Sequence, residues 1–322
     1  MRQIVAADIG GTHARFALAE IDGGRVSSLD LPVKLQTSEH ASFQTAWEEF
    51  ARQKDIALPA ELAIAFAGPV GGPMLKLTNN PWVIRPALMK ERLGVDRFTI
   101  VNDFGAVAHA VGTLPDEHFR TICGPERPLP AEGVISIVGP GTGLGVAALL
   151  RSAGHYHVIE SEGGHVDFAP LDELEDRILE HLRRNFRRVS VERIASGRGL
   201  WNLYDALGAI EGRPLNFQDD KNLWAAAIAG TDSLAIAALD RLCLTLGAVA
   251  GDMALAQGAV AVVIAGGVCL RIADYLPKSG FRDRFIAKGR FERRMDEMPV
   301  KLITHPEPGL FGAAAAFACE YP

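Results

Sequence analysis

Residues 99–111 read "TIVNDFGAVAHAV", an apolar run that stops at an amide and a carboxylate, Asn102 and Asp103, before a helical Ala/Val/His pattern begins. A carboxylate there can favour the first turn of a helix through its dipole, or take a proton from a bound hydroxyl. The two tasks are compatible. A second kind of chemistry is offered by two glycine turns, "DIGGT" at 8–12 and "GPGTGLG" at 139–145. Glycine lets the backbone approach an anion closely, successive N–H groups form a nest for phosphate, and Thr12 and Thr142 add hydroxyl donors. Each turn alone reads equally well as a tight hairpin. Two of them in matching frames favour phosphate.

Asp8 closes the first strand-like run just before the glycines. A carboxylate beside bound phosphates makes sense with Mg2+ between them; an Asx-type turn is the structural alternative. In "ESEGGHVDF" (160–168), two glycines let Glu162 and His165 converge on something small and polar, the alternative being a turn with a core histidine. His165 has no second ligand at metal spacing, so zinc is not expected. Glu192 sits in "RRVSVERIASGRGL", near an expected helix start with Ser190 as cap, where the helix dipole alone favours an acid. The arginines at 183, 184, 187 and 188 read as the solvated face of an amphipathic helix rather than a nucleic-acid surface. Thr78 and Asn79 in "LTNNPW" suit a turn. Gly266 and Gly267 in "VIAGGV" suit either a tight strand-to-helix turn or close approach to a nucleotide base.

Competing motifs fail. The chain has no Gly-Lys dipeptide, so a Walker A loop is excluded, and the last glycine of a GxGxxG fingerprint is replaced by Leu144 or Val146, depending on where it starts. The Asp-Phe-Gly tripeptide lacks the His-Arg-Asp catalytic loop that a protein kinase would also carry.

The elements that must position these residues are strand-like runs such as "QIVAAD", "LAIAFAG", "RFTIVND", "VISIVG" and "AVAVVIAGG", alternating with helical patterns such as "FQTAWEEFARQK". This alternation predicts an α/β architecture with largely parallel sheets. "QIVAADIGGTHARFALA" and "GVISIVGPGTGLGVAAL" share a strand–glycine turn–strand plan, which suggests two similar lobes facing one another with the glycine turns at the cleft. The Pro-rich stretch 123–133 is the expected connection between halves. With 322 residues, 48% hydrophobic and 22% charged, the chain is long enough for two cores, and its net charge of −6 argues against general affinity for nucleic acid or acidic membrane. Four well-separated cysteines predict reduced thiols. No signal-peptide pattern opens the sequence, 259–268 is too short to span a bilayer, and the apolar helix at 232–257 reads as buried core, so a soluble cytoplasmic protein is expected.

Taken together, "ADIGGTHARFAL", "LTNNPW", "VNDFGAVA", "GPGTGLGVA", "EGGHVDFAP", "VSVERIASGRGL", "IAGGV", "KSGFRDRF" and "PEPGLFGAAAA" stand in the order found in bacterial glucokinases, and the chain resembles that family from end to end. The resemblance implies a two-domain actin-like (ribonuclease H-like) sugar kinase fold with an active-site cleft between the lobes: a small α/β domain from 1–113 plus 308–322 and a large one from 114–307. It implies transfer of the ATP γ-phosphoryl group to O6 of glucose with Mg2+ and Asp103 as base. The sugar falls to Thr78, Asn79, Asn102, Asp103, Glu162, His165 and Glu192. The nucleotide falls to Ala7, Asp8, Ile9, Gly10, Gly11 and Thr12, to Gly141, Thr142 and Gly143, and to Gly266 and Gly267, with Asp8 meeting Mg2+ through water. A homodimer in glycolysis is implied, with the last helix packed on the small domain. One departure is His13, where the family's first loop has Asn. The nearest relatives, the ROK sugar kinases and repressors, carry a Cys-x-Cys-Gly zinc segment or an added DNA-binding domain, and neither pattern is present. A kinase for another hexose or N-acetylhexosamine, or a non-catalytic sugar sensor on the same fold, are the alternatives.

Overall fold

The N-terminal run forms β1 (Arg2–Ile9) and turns back through residues 10–12 into β2 (His13–Asp22), an antiparallel hairpin in the computed structural model, which describes residues 1–77 and 80–322. The chain divides into two compact units, Met1–Pro115 with His305–Pro322, and Asp116–Thr304. Thr78 and Asn79 lie outside the described residues.

In the first unit, β3 (Arg25–Leu29) and β4 (Val33–Gln36) pair antiparallel with β2. β5 (Glu61–Phe66) joins β1 in parallel, a small hairpin of β6 (Leu75–Lys76) and β7 (Val83–Ile84) follows, and β8 (Arg97–Asn102) joins β5 in parallel. β1 and β5 are buried on both faces, which explains their near-continuous apolar sequences. Alternate side chains of β1 serve different cores. Val5, Ala7 and Ile9 pack with Phe43, Trp47 and Phe50 of α1 (Phe43–Lys54), a helix started by a Ser42–Thr45 capping box. Ile4 and Ala6 pack against Ala106 of α3 (Asp103–Thr113) and Leu310, Ala313 and Phe317 of the C-terminal helix (Pro308–Glu320), with the short α2 (Met89–Leu93) lying between α1 and α3 in sequence. The C-terminal helix approaches α3 so closely that a Cβ at Gly312 would lie 1.7 Å from the carbonyl oxygen of Ala106.

The second unit builds a sheet in the order β12–β11–β10–β13–β14–β9 from β9 (Phe119–Cys123), β10 (Gly133–Pro140), β11 (Leu144–Ser152), β12 (His155–Ser161), β13 (Ala261–Ile264) and β14 (Val300–Ile303). Its helices are α4 (Glu173–Arg183), α5 (Gly199–Glu211), α6 (Asp220–Ala229), α7 (Ser233–Ala256), α8 (Gly267–Arg271), α9 (Phe281–Ile286) and α10 (Glu292–Asp296). Among the described residues α7 is the helix long and apolar enough to cross a membrane, but 72% of its most apolar stretch is buried inside the fold, where Leu239, Leu242, Leu246 and Val249 are core. All four cysteines are free.

Several expectations are corrected. The sheets are mixed rather than largely parallel: among the described residues each six-stranded sheet has two parallel and three antiparallel pairings, because hairpins, those at the two glycine turns among them, set antiparallel strands beside the parallel ones. The Pro-rich stretch does not connect the halves. It joins β9 to β10 inside the second unit, and the chain passes between units at 115–116 and 304–305. Ser190 makes no side-chain cap, and the turn it precedes is a short 3-10 segment, Val191–Arg193, with α5 starting only at Gly199. Arg187 and Arg188 lie beyond the end of α4, and Arg188 is an ion-pair partner rather than part of a solvated helix face.

Candidate active site

In the first unit, the pairings of Ile9 with Phe66 and of Phe66 with Asn102 bring the carboxyl ends of β1, β5 and β8 level. The 10–12 turn and the Asn102–Asp103 pair therefore share one sheet edge, the edge where open α/β sheets take ligands. Asn102 is the N-cap of α3: its Oδ1 accepts the N–H groups of Phe104 at 2.9 Å and Gly105 at 3.3 Å, and its Nδ2 donates to the Gly68 carbonyl at 3.3 Å. Asp103 opens the helix, with Oδ1 accepting the Phe104 N–H at 2.9 Å. A carboxylate in this first turn is favoured by the helix dipole.

Asp8 lies opposite Arg15 across the hairpin, and Arg15 Nη1 donates to Asp8 Oδ2 at 3.1 Å while lying 3.7 Å from Glu307 Oε2. Burial pushes the Asp8 carboxyl up, and the Arg15 guanidinium works against that rise. Burial raises Glu307 as well. A Cβ at Gly309, in the first turn of the C-terminal helix, would lie 3.0 Å from Asp8 Oδ2, so glycine there lets the helix start pack closely on this carboxylate. Among the described residues no group of three or more His, Cys, Asp or Glu could by itself hold a metal. Mg2+ needs only one or two protein carboxylates when phosphates and water complete its shell, so the hard oxygens of Asp8, with Glu307 near, fit that ion.

The turn itself is held from outside. Gly10 N–H donates to the His13 carbonyl at 3.0 Å, and the Gly11 carbonyl accepts Thr37 Oγ1 at 2.7 Å and Asn80 Nδ2 at 3.2 Å. The Thr37 N–H donates to the Thr12 carbonyl at 3.1 Å. Sequence reasoning missed Arg15, Thr37, Asn80 and Glu307. Arg15 was legible once a hairpin was assumed, since the register then opposes it to Asp8, and Asn80 stands beside Asn79. Thr37 gave no signal.

In the second unit, Val138 pairs with Ile264 in parallel, which sets the Gly141–Gly143 turn beside Gly266 and Gly267 at the carboxyl ends of β10 and β13. Gly266 has φ +89°, and a Cβ there would lie 2.4 Å from the Pro140 carbonyl oxygen. Glu162 and His165 are brought to the same turn by glycine packing: a Cβ at Gly164 would meet the Leu144 carbonyl oxygen at 1.9 Å, and one at Gly163 would meet Val146 at 2.9 Å. His165 Nε2 and Glu162 Oε2 are 3.9 Å apart and both side chains are exposed. Residues 166–168 then pair with 189–191 through Phe168 N–H to the Val189 carbonyl at 3.0 Å and Val191 N–H to the Val166 carbonyl at 2.9 Å. This pairing draws in Glu192, whose Oε2 accepts the Leu144 N–H at 3.0 Å. Arg188, missed as a site element, clamps the loop by pairing with Asp167 at 2.5 Å and donating to the His165 carbonyl at 2.7 Å.

A sequence model of the glucokinase family matches residues 5–320. The glucokinase of Zymomonas mobilis is 62% identical over 319 residues, covering 99% of this chain and 98% of its own. The chain belongs to the glucokinase family. Among solved structures, a glucokinase from an Antarctic psychrotroph is 32% identical with a TM-score of 0.85, covering 98% of both chains. A Balamuthia mandrillaris glucokinase solved in complex with glucose is 20% identical with a TM-score of 0.81, covering 99% of this chain and 94% of its own, a likeness of fold. The family's two-domain actin-like sugar kinase fold is thus the fold of this chain, and the membership read from its motifs holds.

Proposed function

We propose that this glucokinase-family chain transfers the γ-phosphoryl group of ATP to O6 of glucose, giving glucose 6-phosphate and ADP. The observation that carries the reading is the shared sheet edge of the first unit, where Asp103 stands level with the glycine turn that follows Asp8.

Asp103 accepts the O6 proton as that oxygen bonds to the γ-phosphorus, and the bond from phosphorus to the β,γ-bridging oxygen breaks with its electron pair leaving on ADP. Such a transfer asks the protein mainly for position and charge complementarity. Asn102, Glu162, His165 and Glu192 hold the sugar hydroxyls, and Thr78 and Asn79 are assigned to the same task by their motif alone. The peptides of Ala7, Asp8, Ile9, Gly10, Gly11 and Thr12 and of Gly141, Thr142 and Gly143 hold phosphates, and Gly266 and Gly267 the adenosine side. Among the described residues, chain neighbours and the glycine's own helix apart, nothing lies within 4 Å of a Cβ at Gly141 or Gly267, which suits close approach of a ligand. Asp8 is assigned to Mg2+, which supplies charge neutralisation at the phosphates when bound. Glu307 and Arg15 set the charge balance around it.

The reading extends to a homodimer acting in the cytoplasm in glycolysis, without a nucleic-acid or membrane partner. Net charge and family resemblance support this. The test is ADP release by the purified protein with Mg-ATP against glucose, mannose, fructose, N-acetylglucosamine and N-acetylmannosamine. Turnover confined to glucose is expected; turnover with another of these sugars alone would move the substrate assignment.

A further inference from the structure

The proposed reaction gives no task to the Ser-Gly-Arg-Gly segment at 196–199, yet its backbone is held from two sides. The Gly197 N–H donates to the Gly141 carbonyl at 2.8 Å. The Gly197 carbonyl accepts the indole N–H of Trp224 at 3.1 Å. A Cβ at residue 197 would lie 2.9 Å from the Gly141 carbonyl oxygen and 3.7 Å from Val268 Cγ2, so this peptide is wedged between the 141–143 turn and α8. Trp224, on α6, is only 4% exposed, and the Arg271 guanidinium lies over its ring at 5.1 Å. Arg271 ends α8, the helix that Gly267 begins. One indole thus bears on both turns of the second unit: through its N–H on the carbonyl of Gly197, the residue whose N–H holds Gly141, and through its face on α8.

We infer that Trp224 is a positioning residue for the nucleotide, acting through the Gly197 peptide on the 141–143 turn and through Arg271 on the 266–267 turn. The inference rests on the assignment of these two turns to ATP. A donor lost from a half-buried carbonyl leaves that oxygen unsatisfied, and the peptide shifts to find another partner. Here the shift passes to Gly141 across a single Cα, because residue 197 carries both that carbonyl and, in the preceding peptide, the N–H that holds Gly141. A Trp224 that merely filled the core would affect both substrates and stability together.

The experiment measures dissociation constants for a non-hydrolysable ATP analogue with Mg2+ and for glucose, each alone, by titration calorimetry, with Tm alongside. Trp224→Phe keeps an aromatic ring and removes the donor. It should weaken the ATP analogue about tenfold, leave glucose affinity unchanged within about twofold, and hold Tm within a few degrees. Unchanged analogue affinity, or an equal loss of both ligands together with a large fall in Tm, overturns the inference. Should Trp224→Phe fail to fold, Arg271→Ala decides: about threefold weaker analogue binding supports the inference, and unchanged binding overturns it. A wild-type protein that binds no ATP analogue overturns the nucleotide assignment and this inference together, whereas a wild type that binds it as well as the variant does overturns the inference alone.

Discussion

Glu192 Oε2 accepts the backbone N–H of Leu144 at 3.0 Å, and a Cβ on the neighbouring Gly143 would stand 2.3 Å from that same oxygen. A side chain assigned to the sugar is therefore seated on the turn assigned to phosphate, and glycine at 143 is what admits it.

This seat makes Gly143→Ala and Gly141→Ala an informative pair. The first pushes Glu192 off Leu144 and should lower kcat/KM for glucose at least about tenfold, an effect of about 1.4 kcal/mol. The second meets nothing within 4 Å among the described residues beyond its chain neighbours, and should leave glucose KM unchanged while raising that for ATP. Steady-state kinetics with each substrate varied in turn separates the two.

Asp103→Asn keeps size and shape but cannot take the proton. We expect glucose affinity by calorimetry to stay within about threefold while kcat falls by about 10²- to 10⁴-fold. Near-normal kcat would falsify the base assignment.

Asn102→Ala removes the acceptor for two N–H groups of α3. It should cost about 1–2 kcal/mol, a fall of a few degrees in Tm. Asn102→Asp restores an acceptor at the cap and should recover most of that stability, but not the donation to Gly68. Thermal unfolding of the three proteins side by side reads this out; equal Tm values for wild type and Asn102→Ala would show that the cap contributes nothing.

His109, on α3, is pushed by burial from an ordinary 6.5 down to about 4. Between those values the unfolded chain binds a proton that the folded chain does not, so stability is complete above about pH 6.5 and declines as pH falls towards 4. The full effect is on the order of 3 kcal/mol. His109→Gln should flatten that part of the acid limb. Urea midpoints at pH 7.5 and 5 for both proteins test it, and the same drop in both would assign the acid sensitivity to other groups.

Gly312→Ala places a methyl group 1.7 Å from the Ala106 carbonyl oxygen. The C-terminal helix must then move off α3, the helix that begins at Asp103, and we expect a destabilisation of about 1–3 kcal/mol together with reduced kcat. Unchanged Tm and kcat would mean that the two helices part without consequence.

The sequence by itself determined the most apolar strands, the glycine turns, the cap at Asn102 and the membership of the family. These rest on local patterns: apolar runs ending in glycine or a capping amide, and motifs whose order along the chain needs no coordinates to be read. α1 spans the whole of "FQTAWEEFARQK" because its apolar spacing and its Ser42 cap are both local. Strand direction was not local. Whether a strand pairs parallel or antiparallel depends on which strand lies alongside, as where β4 joins β2 and β9 joins β14, and that made the sheets mixed. The tertiary structure alone joined Arg15 to Glu307, Thr37 and Asn80 to Gly11, Arg188 to the His165 carbonyl and Glu192 to Leu144. Most of these partners are tens or hundreds of residues apart in the chain. Their contacts come from strands and loops brought alongside one another, such as 166–168 beside 189–191 and β4 beside β2, and from glycines that let backbone segments touch, a property of how the chain packs and not of any one stretch of it.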